Sequence, residues 1–203
     1  MVLTTKNSVI GFFICATLCI SCGKGGKDAS IVSIDTKSIP AVHTENIRTL
    51  ISDSGITRYN LNAKVWDIFS HVDTPYWYFP EGVYAERFDS LFQVEGNIKA
   101  DTAYYFVKKE LWRLIGNVFV KNMEGRTFET TELFWNQRAS TEATDAFSTR
   151  EPVKITEPDG TVINGRQGFK SNQSLSYIVL YSSGGELYFT ESDSIKNDSI
   201  QQQ

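Results

Sequence analysis

The side chains best able to do chemistry in this sequence lie at its start. All three cysteines, Cys15, Cys19 and Cys22, fall within the first 22 residues, and only two histidines occur. A thiol can be acylated, oxidised or bound to a metal, but a zinc site needs three or four ligands. His71 and Asp73, two positions apart, supply too few. The cysteines therefore indicate chemistry at the N-terminus and exclude most metalloenzymes, thiol proteases and disulfide-stabilised folds.

Carboxylates are frequent, but their spacing does not indicate a catalytic pair. Asp101, Glu110, Glu132 and Asp145 are spread through the chain, as expected for the solvated face of a sheet. The sequence has no Gly-x-Ser-x-Gly elbow and no phosphate-binding loop. We therefore expect a non-enzymatic protein without catalytic residues, cofactor or metal.

An apolar segment precedes Cys22. Residues 9–20 are apolar except for Gly11 and Thr17, and Lys6 is the only charge before them. Residues 9–22 would span roughly 21 Å as a helix, which is short for a bilayer core of roughly 30 Å and typical of a signal peptide. The small residue before Cys22 resembles a bacterial lipobox, which implies cleavage before Cys22 and a diacylglycerol on its thiol. The alternatives are a plain signal peptide and a short membrane anchor.

Composition divides the remaining chain into three parts. Residues 22–42 begin with a glycine- and lysine-rich stretch and stay polar, which predicts a flexible tether after the lipid anchor at Cys22. Residues 43–190 are predicted to form the folded domain, and the polar residues 191–203 a disordered tail. Aromatic residues make up 13% of the chain, and the net charge of −4 argues against a nucleic-acid partner.

The central residues alternate with the period of β-strands. Trp112, Leu114, Gly116, Val118 and Val120 fall on one face of a predicted strand. The same alternation groups Ile98 with Ala100, Thr102 and Tyr104, Leu133 with Trp135, and Val153 with Ile155. Turn signals at 124–125, 158–160 and 183–185 separate such runs. We therefore predict an all-β fold of short antiparallel strands, a sandwich or an open barrel.

An ordered set of short segments resembles the periplasmic LptC family as found in Bacteroidetes. The segments are Leu50-Ile51-Ser52-Asp53-Ser54-Gly55-Ile56-Thr57-Arg58-Tyr59, Tyr76-Trp77, Phe79-Pro80-Glu81-Gly82-Val83-Tyr84, Ala100-Asp101-Thr102-Ala103-Tyr104-Tyr105, Leu111-Trp112-Arg113-Leu114-Ile115-Gly116-Asn117-Val118 and residues 165–175. Together they cover about Thr49 to Tyr181. No single segment is a signature, and the likeness rests on their order.

The resemblance implies a twisted, open β-jellyroll of the OstA-like kind. It also implies a carrier that receives lipopolysaccharide from an inner-membrane ABC transporter and passes it to a periplasmic bridge protein of similar fold, for outer-membrane assembly. The expected location is the periplasmic face of the envelope, anchored in a membrane, with the inner membrane favoured. The familiar proteobacterial members carry one transmembrane helix, whereas this sequence has a segment that resembles a lipobox.

Such a carrier needs an apolar interior that its own side chains do not fill. The inward strand residues predicted to line this groove are Ile98, Ala100, Trp112, Leu114, Val118, Val120, Leu133, Trp135, Val153, Ile155, Ile163 and Tyr177. The alternative is that the same residues pack a dry core. A one-residue slip in register would exchange the two faces.

Two sheet edges are predicted to bind partners, because an open jellyroll leaves unpaired backbone groups at its ends. The resemblance implies that residues 165–181 form a terminal strand that docks the bridge protein through Phe169, Leu175, Tyr177 and Val179. The opposite edge, near Thr49–Leu61, would face the transporter.

Two alternatives to a lipid carrier remain. One is an envelope lipoprotein in which a dry sandwich serves as a structural module. The other is a glycan-binding lipoprotein, in which exposed Trp66, Trp77 and Tyr78 would stack on sugar rings. The glycan interpretation predicts aromatic side chains on an outer, flat face, and the carrier interpretation predicts them along an interior slot.

Overall fold

The computed structural model describes residues 37–140, 145–182 and 185–189. They lie within one of the two units into which the chain divides, Asp35–Gln203. The described residues form fourteen strands: β1 (Val42–Asp53), β2 (Ile56–Phe69), β3 (Tyr76–Phe79), β4 (Val83–Phe88), β5 (Val94–Ala100), β6 (Thr102–Phe106), β7 (Leu111–Lys121), β8 (Thr127–Asn136), β9 (Phe147–Thr149), β10 (Val153–Thr156), β11 (Val162–Gly165), β12 (Phe169–Ser171), β13 (Ile178–Ser182) and β14 (Gly185–Phe189). A single 3-10 turn, Val107–Lys109, is the only helical element in this part of the chain.

Long strands change partners along their length and so divide one sheet into two layers. Residues 59–63 of β2 pair with β4, whereas residues 67–69 pair with β3. In β7, residues 111–115 pair with β6 and residues 119–121 pair with β5. Strand β8 likewise pairs with β10 near its start and with β9 near its end.

The first layer therefore runs β2-β4-β5-β7-β8-β10-β11, and the second runs β2-β3-β6-β7-β8-β9-β12-β13-β14. Strand β1 lies along nearly the whole length of β2. Every pairing between strands is antiparallel among the described residues. The predicted all-β, jellyroll-like fold is confirmed.

The hydrophobic core lies between the two layers. The ring of Phe128 in β8 stacks on that of Phe169 in β12, with centroids 5.3 Å apart. At Gly165 in β11, an added Cβ would lie 2.7 Å from Leu180 in β13 and 2.8 Å from Val153 in β10. Only glycine fits at position 165, because the two layers already touch there.

The face predicted for residues 98–104 is only half right. Ile98 and Ala100 are buried, but the inward residues of the next strand are Ala103 and Tyr105, whereas Tyr104 lies on the outer face with Thr102. The alternation breaks at Asp101, where β5 ends and β6 begins in the other layer. Periodicity carried across that break therefore assigns β6 to the wrong face.

A β-bulge in β7 forms the corner opposite this break. Gly116 and Asn117 both have positive φ, 76° and 42°, and two residues there oppose one residue of β8. The Asp101 amide donates to the Gly116 carbonyl at 2.9 Å, and Asn117 Nδ2 donates to Asp101 Oδ2 at 2.6 Å. The bulge lets β7 pass from one layer to the other while its predicted inward residues remain inside.

Candidate functional site

A cleft opens between the layers, and apolar side chains form most of its interior. The first layer contributes Tyr59, Ala85, Ile98 and Val120, from four neighbouring strands. The opposite wall is formed by Trp135 and Phe147 of the second layer and by the loop that carries Gln173, Ser174 and Leu175. The empty volume is about 710 Å³, including the solvent-filled mouth. Without the mouth, the cavity measures about 130 Å³, which is less than the roughly 300–1,000 Å³ of small-molecule sites.

An unbroken row of aromatic rings leads inward from the cleft and fills the adjoining core. The ring of Phe147 stacks on Trp135 with centroids 5.6 Å apart, and Trp135 lies 6.4 Å from Trp112. Trp112 stacks on Phe79 at 5.7 Å, and Phe79 on Trp66 at 5.8 Å. Trp112, Phe79 and Trp66 belong to the circuit β2-β4-β5-β7-β6-β3, in which each strand pairs with the next and β3 pairs back with β2. Small closed barrels are normally filled by their own side chains, and this one is.

Gln173 fixes the loop wall of the cleft to the second layer. Its Oε1 accepts from Trp135 Nε1 at 3.0 Å, and its Nε2 donates to the carbonyls of Asn136 at 2.8 Å and Ala139 at 3.2 Å. The amide of this one glutamine therefore satisfies a tryptophan and two backbone groups. Because Trp135 is held by Gln173, its ring presents a fixed face to the cleft.

The rim of the cleft carries charges of both signs. Arg87 Nε lies 2.9 Å from Glu95, and the two ends of this pair are 42% and 29% exposed. Exposed Lys121 lies on the neighbouring strand and Glu124 on the turn that follows. Burial raises the pKa of the Tyr59 hydroxyl above its ordinary value, and the Arg87 charge acts in the opposite direction. The rim is therefore polar but close to neutral, with its strongest contact between its own residues.

Ten of the twelve predicted groove residues are buried on the inner faces: Ile98, Ala100, Trp112, Leu114, Val118, Val120, Leu133, Trp135, Val153 and Ile155. Ile163 packs partly buried against the core, and Tyr177 is half-buried in the loop before β13. Of the predicted set, Ile98, Val120 and Trp135 line the cleft. Whether any of the twelve contacts lipid stays a prediction.

Sequence reasoning missed most of the remaining walls. Ala85 and Phe147 lie on strands of six and three residues, which are too short for alternation to indicate the inner face. Tyr59 precedes a run of mixed burial within β2. Leu175 was predicted at a partner edge, although it lines the cleft. The loop conformation that places Leu175 there has no periodic signal.

The strand predicted to be the terminal, docking strand is not at the edge of the sheet. Strand β12 pairs with both β9 and β13, and β13 pairs with both β12 and β14, so residues 169–171 and 178–182 lie inside the sheet. Phe169 and Val179 are buried, and Leu175 and Tyr177 lie in a loop, so none of the four is an edge residue. Within the described ranges, the strands with a neighbour on one side only are β1, β11 and β14. Near Thr49–Leu61, β1 therefore supplies the free edge, and β2 does not.

The tryptophans proposed for glycan stacking lie inside. Trp66 and Trp77 contact each other at 4.9 Å and pack against the core. Tyr78, the next residue, lies on the outer face, where its ring stacks on that of Tyr104 at 4.7 Å. The alternation of β3 thus separates the three aromatic residues that the glycan interpretation grouped together.

Two of the four carboxylates considered for catalysis form salt bridges. Glu110 contacts Arg138 at 3.1 Å and Glu132 contacts Arg113 at 2.7 Å. Among the described residues, no three His, Cys, Asp or Glu side chains come together as a metal site. Cys22, the predicted lipid anchor, lies outside the described residues.

No protein-family model matches this sequence, and no curated protein matches it significantly. In the part of the chain that the structure describes, there is no helix of the length and apolarity needed to cross a bilayer.

Proposed function

We propose that this protein is a non-enzymatic carrier that receives lipopolysaccharide from an inner-membrane ABC transporter and passes it to a periplasmic bridge protein of similar fold. The observation that supports the proposal is the apolar cleft between the two layers, with Ile98, Val120, Trp135 and Phe147 in its walls. The direction of transfer and the partners are proposed from the ordered segments that resemble the LptC family.

The cleft suits hydrocarbon that must later be released. Fully burying a fourteen-carbon chain contributes on the order of 10 kcal/mol, at about 0.8 kcal/mol per CH₂. Several chains buried so completely would dissociate too slowly for a relay. Because Trp112, Phe79 and Trp66 already fill the adjoining core, the open volume encloses only part of a multi-acylated lipid.

The rim suits a head group that stays in water. Arg87 is paired with Glu95, and the chain has a net charge of −4, so the domain should not clamp phosphates strongly. Hydrogen bonds to a charged phosphate are strong, and a free arginine fork at the mouth would slow release. The carrier therefore holds the lipid mainly through its acyl chains.

The free strand edges suit docking to a jellyroll of the same kind. Strands β1 and β14 have one neighbour each among the described residues, and an edge strand can pair with a strand of another protein. We assign β14, rather than residues 169–182, to the bridge protein, and β1 to the transporter.

Equilibrium binding of purified lipopolysaccharide to the full chain tests this proposal. Ala85→Phe adds a ring to a small side chain that lines the cleft, whereas Ile115→Phe places the same ring on the outer face of β7. Excluding two CH₂ groups from the cleft weakens binding by at least about tenfold. We expect that loss in Ala85→Phe and none in Ile115→Phe, with both variants folded by thermal unfolding. Equal affinity in both variants would contradict the proposal.

A further inference from the structure

Leu175 is the one wall of the cleft whose backbone conformation is unfavourable for its residue type. Its φ is +59°, in the left-handed region where residues other than glycine, asparagine and aspartate are uncommon. Its side chain is 4% exposed and belongs to the hydrophobic core cluster. A strained backbone that points a leucine into a cleft is an outlier from which a role can be inferred.

Two sets of contacts hold Leu175 in that conformation. Its amide donates to the Asn172 carbonyl at 3.1 Å, and its carbonyl accepts from Arg126 Nη1 at 3.1 Å. Arg126 is itself buried and is held by Glu157 through contacts of 2.8 and 2.9 Å. The neighbouring Gln173 is fixed by Trp135. The surrounding structure therefore determines where the Leu175 side chain lies.

Leu175 is the most buried of the apolar residues that line the cleft. It is less exposed than Ile98 at 8%, Val120 at 5% or Phe147 at 6%. Those three side chains come from strands paired on both sides, whereas Leu175 comes from a loop. A change at Leu175 can therefore alter the depth of the cleft without changing strand register.

We infer that Leu175 sets the depth to which a linear acyl chain enters the cleft, so that this residue determines the chain length that the protein prefers. The inference rests on the proposed function, because it concerns the same cleft. Each CH₂ that enters strengthens binding about fourfold, at about 0.8 kcal/mol per group. The gain in affinity stops at the chain length at which the end of the acyl chain meets Leu175.

Displacement of a fluorescent fatty acid from the full chain by saturated fatty acids, from decanoic to octadecanoic acid, tests this inference. Leu175→Gly shortens the wall and removes the backbone strain, which offsets part of the stability lost with the leucine. The matched control is Leu180→Gly, since Leu180 is 3% exposed but is not a cleft residue. Thermal unfolding of each variant establishes that it is folded.

For the wild type we expect affinity to rise about fourfold per CH₂ and then to level off. In Leu175→Gly the chain length at which affinity levels off should increase by about two CH₂ groups, and in Leu180→Gly this chain length should stay the same. Identical levelling in wild type and Leu175→Gly, or equal shifts in both variants, would overturn the role of Leu175 and leave the carrier proposal standing. A wild type that binds none of these acids would overturn both.

Discussion

Replacing Gly168 by alanine should destabilise the fold far more than the same change at Gly160. Both glycines have nearly the same left-handed backbone, with φ of +86° and +88°. At Gly160 an added Cβ would meet nothing within 4 Å, so the cost is the left-handed conformation alone, about 1–2 kcal/mol. At Gly168 the added Cβ would lie 2.1 Å from the carbonyl oxygen of Thr149 and 2.7 Å from its carbonyl carbon.

The contact at Gly168 is with backbone, so it cannot be relieved by a rotamer change. Strand β9 or the turn before β12 must shift, and the Tyr181 amide, which donates to the Gly168 carbonyl at 3.0 Å, shifts with it. We expect Gly168→Ala to lose about 2–5 kcal/mol, because steric overpacking adds about 1–3 kcal/mol to the conformational cost. That loss corresponds to a decrease in Tm of roughly 4–20 °C.

Urea denaturation of both variants and the wild type, followed by tryptophan fluorescence, measures the difference. Equal slopes of the free energy of unfolding against denaturant would establish that the native state, and not the denatured ensemble, has changed. If the free energies of unfolding of the two alanine variants agree within about 1 kcal/mol, β9 does not pack closely against the Gly168 turn. Because β9 carries Phe147, the wall of the cleft opposite β5 would then be misplaced as well.

Three other predictions concern charge and anchoring. Arg126→Met removes the donor to the Leu175 carbonyl and leaves Glu157 without its cation. We expect the free energy of unfolding, measured by chemical denaturation, to fall by about 2–3 kcal/mol in this variant and by about 1 kcal/mol in Glu157→Gln. Equal losses in the two variants would contradict the buried pair. The hydrogen bond from His43 Nδ1 to Asp67 at 2.6 Å raises the pKa of His43 above 6.5. The stabilisation from this pair should therefore be present below pH 6.5 and disappear as the pH rises through the raised pKa. NMR titration of the wild type and of Asp67→Asn measures the pKa of His43, and the same pKa in both proteins would refute the prediction. Cys22→Ser should abolish incorporation of labelled palmitate and release the chain from the membrane fraction, whereas Cys19→Ser should do neither. Labelled palmitate on the Cys22→Ser protein would exclude Cys22 as the anchor.

Strand alternation predicted the inner face where a strand is long and stays within one pattern. In β7, Trp112 to Val120 face inward as predicted, because the bulge at Gly116 and Asn117 changes the pairing without exposing them. The prediction failed at Asp101, where the chain passes between layers and the inward residue becomes Ala103 in place of Thr102. The period of two does not reveal such a corner.

Pairing between distant strands and the shapes of loops were beyond the sequence patterns. Strand β14 displaces the predicted terminal strand, although Gly185–Phe189 is a run of only five residues. Leu175 reaches the cleft through a loop closed by Asn172, whose side-chain oxygen accepts from the amides of Ser176 and Tyr177. The tightly packed circuit around Phe79 could not be distinguished from an open groove, since both place apolar residues inside.

Photo-crosslinking in living cells tests the carrier proposal most directly. Benzoylphenylalanine in place of Phe147 would lie in the wall of the cleft, and in place of Phe134 it would lie on the outer face of the adjacent strand. The two positions are matched, because each is an aromatic residue and their strands are paired. We expect lipopolysaccharide adducts at Phe147 and none at Phe134. Adducts of equal yield at both positions, or none at Phe147, would contradict transport through this cleft.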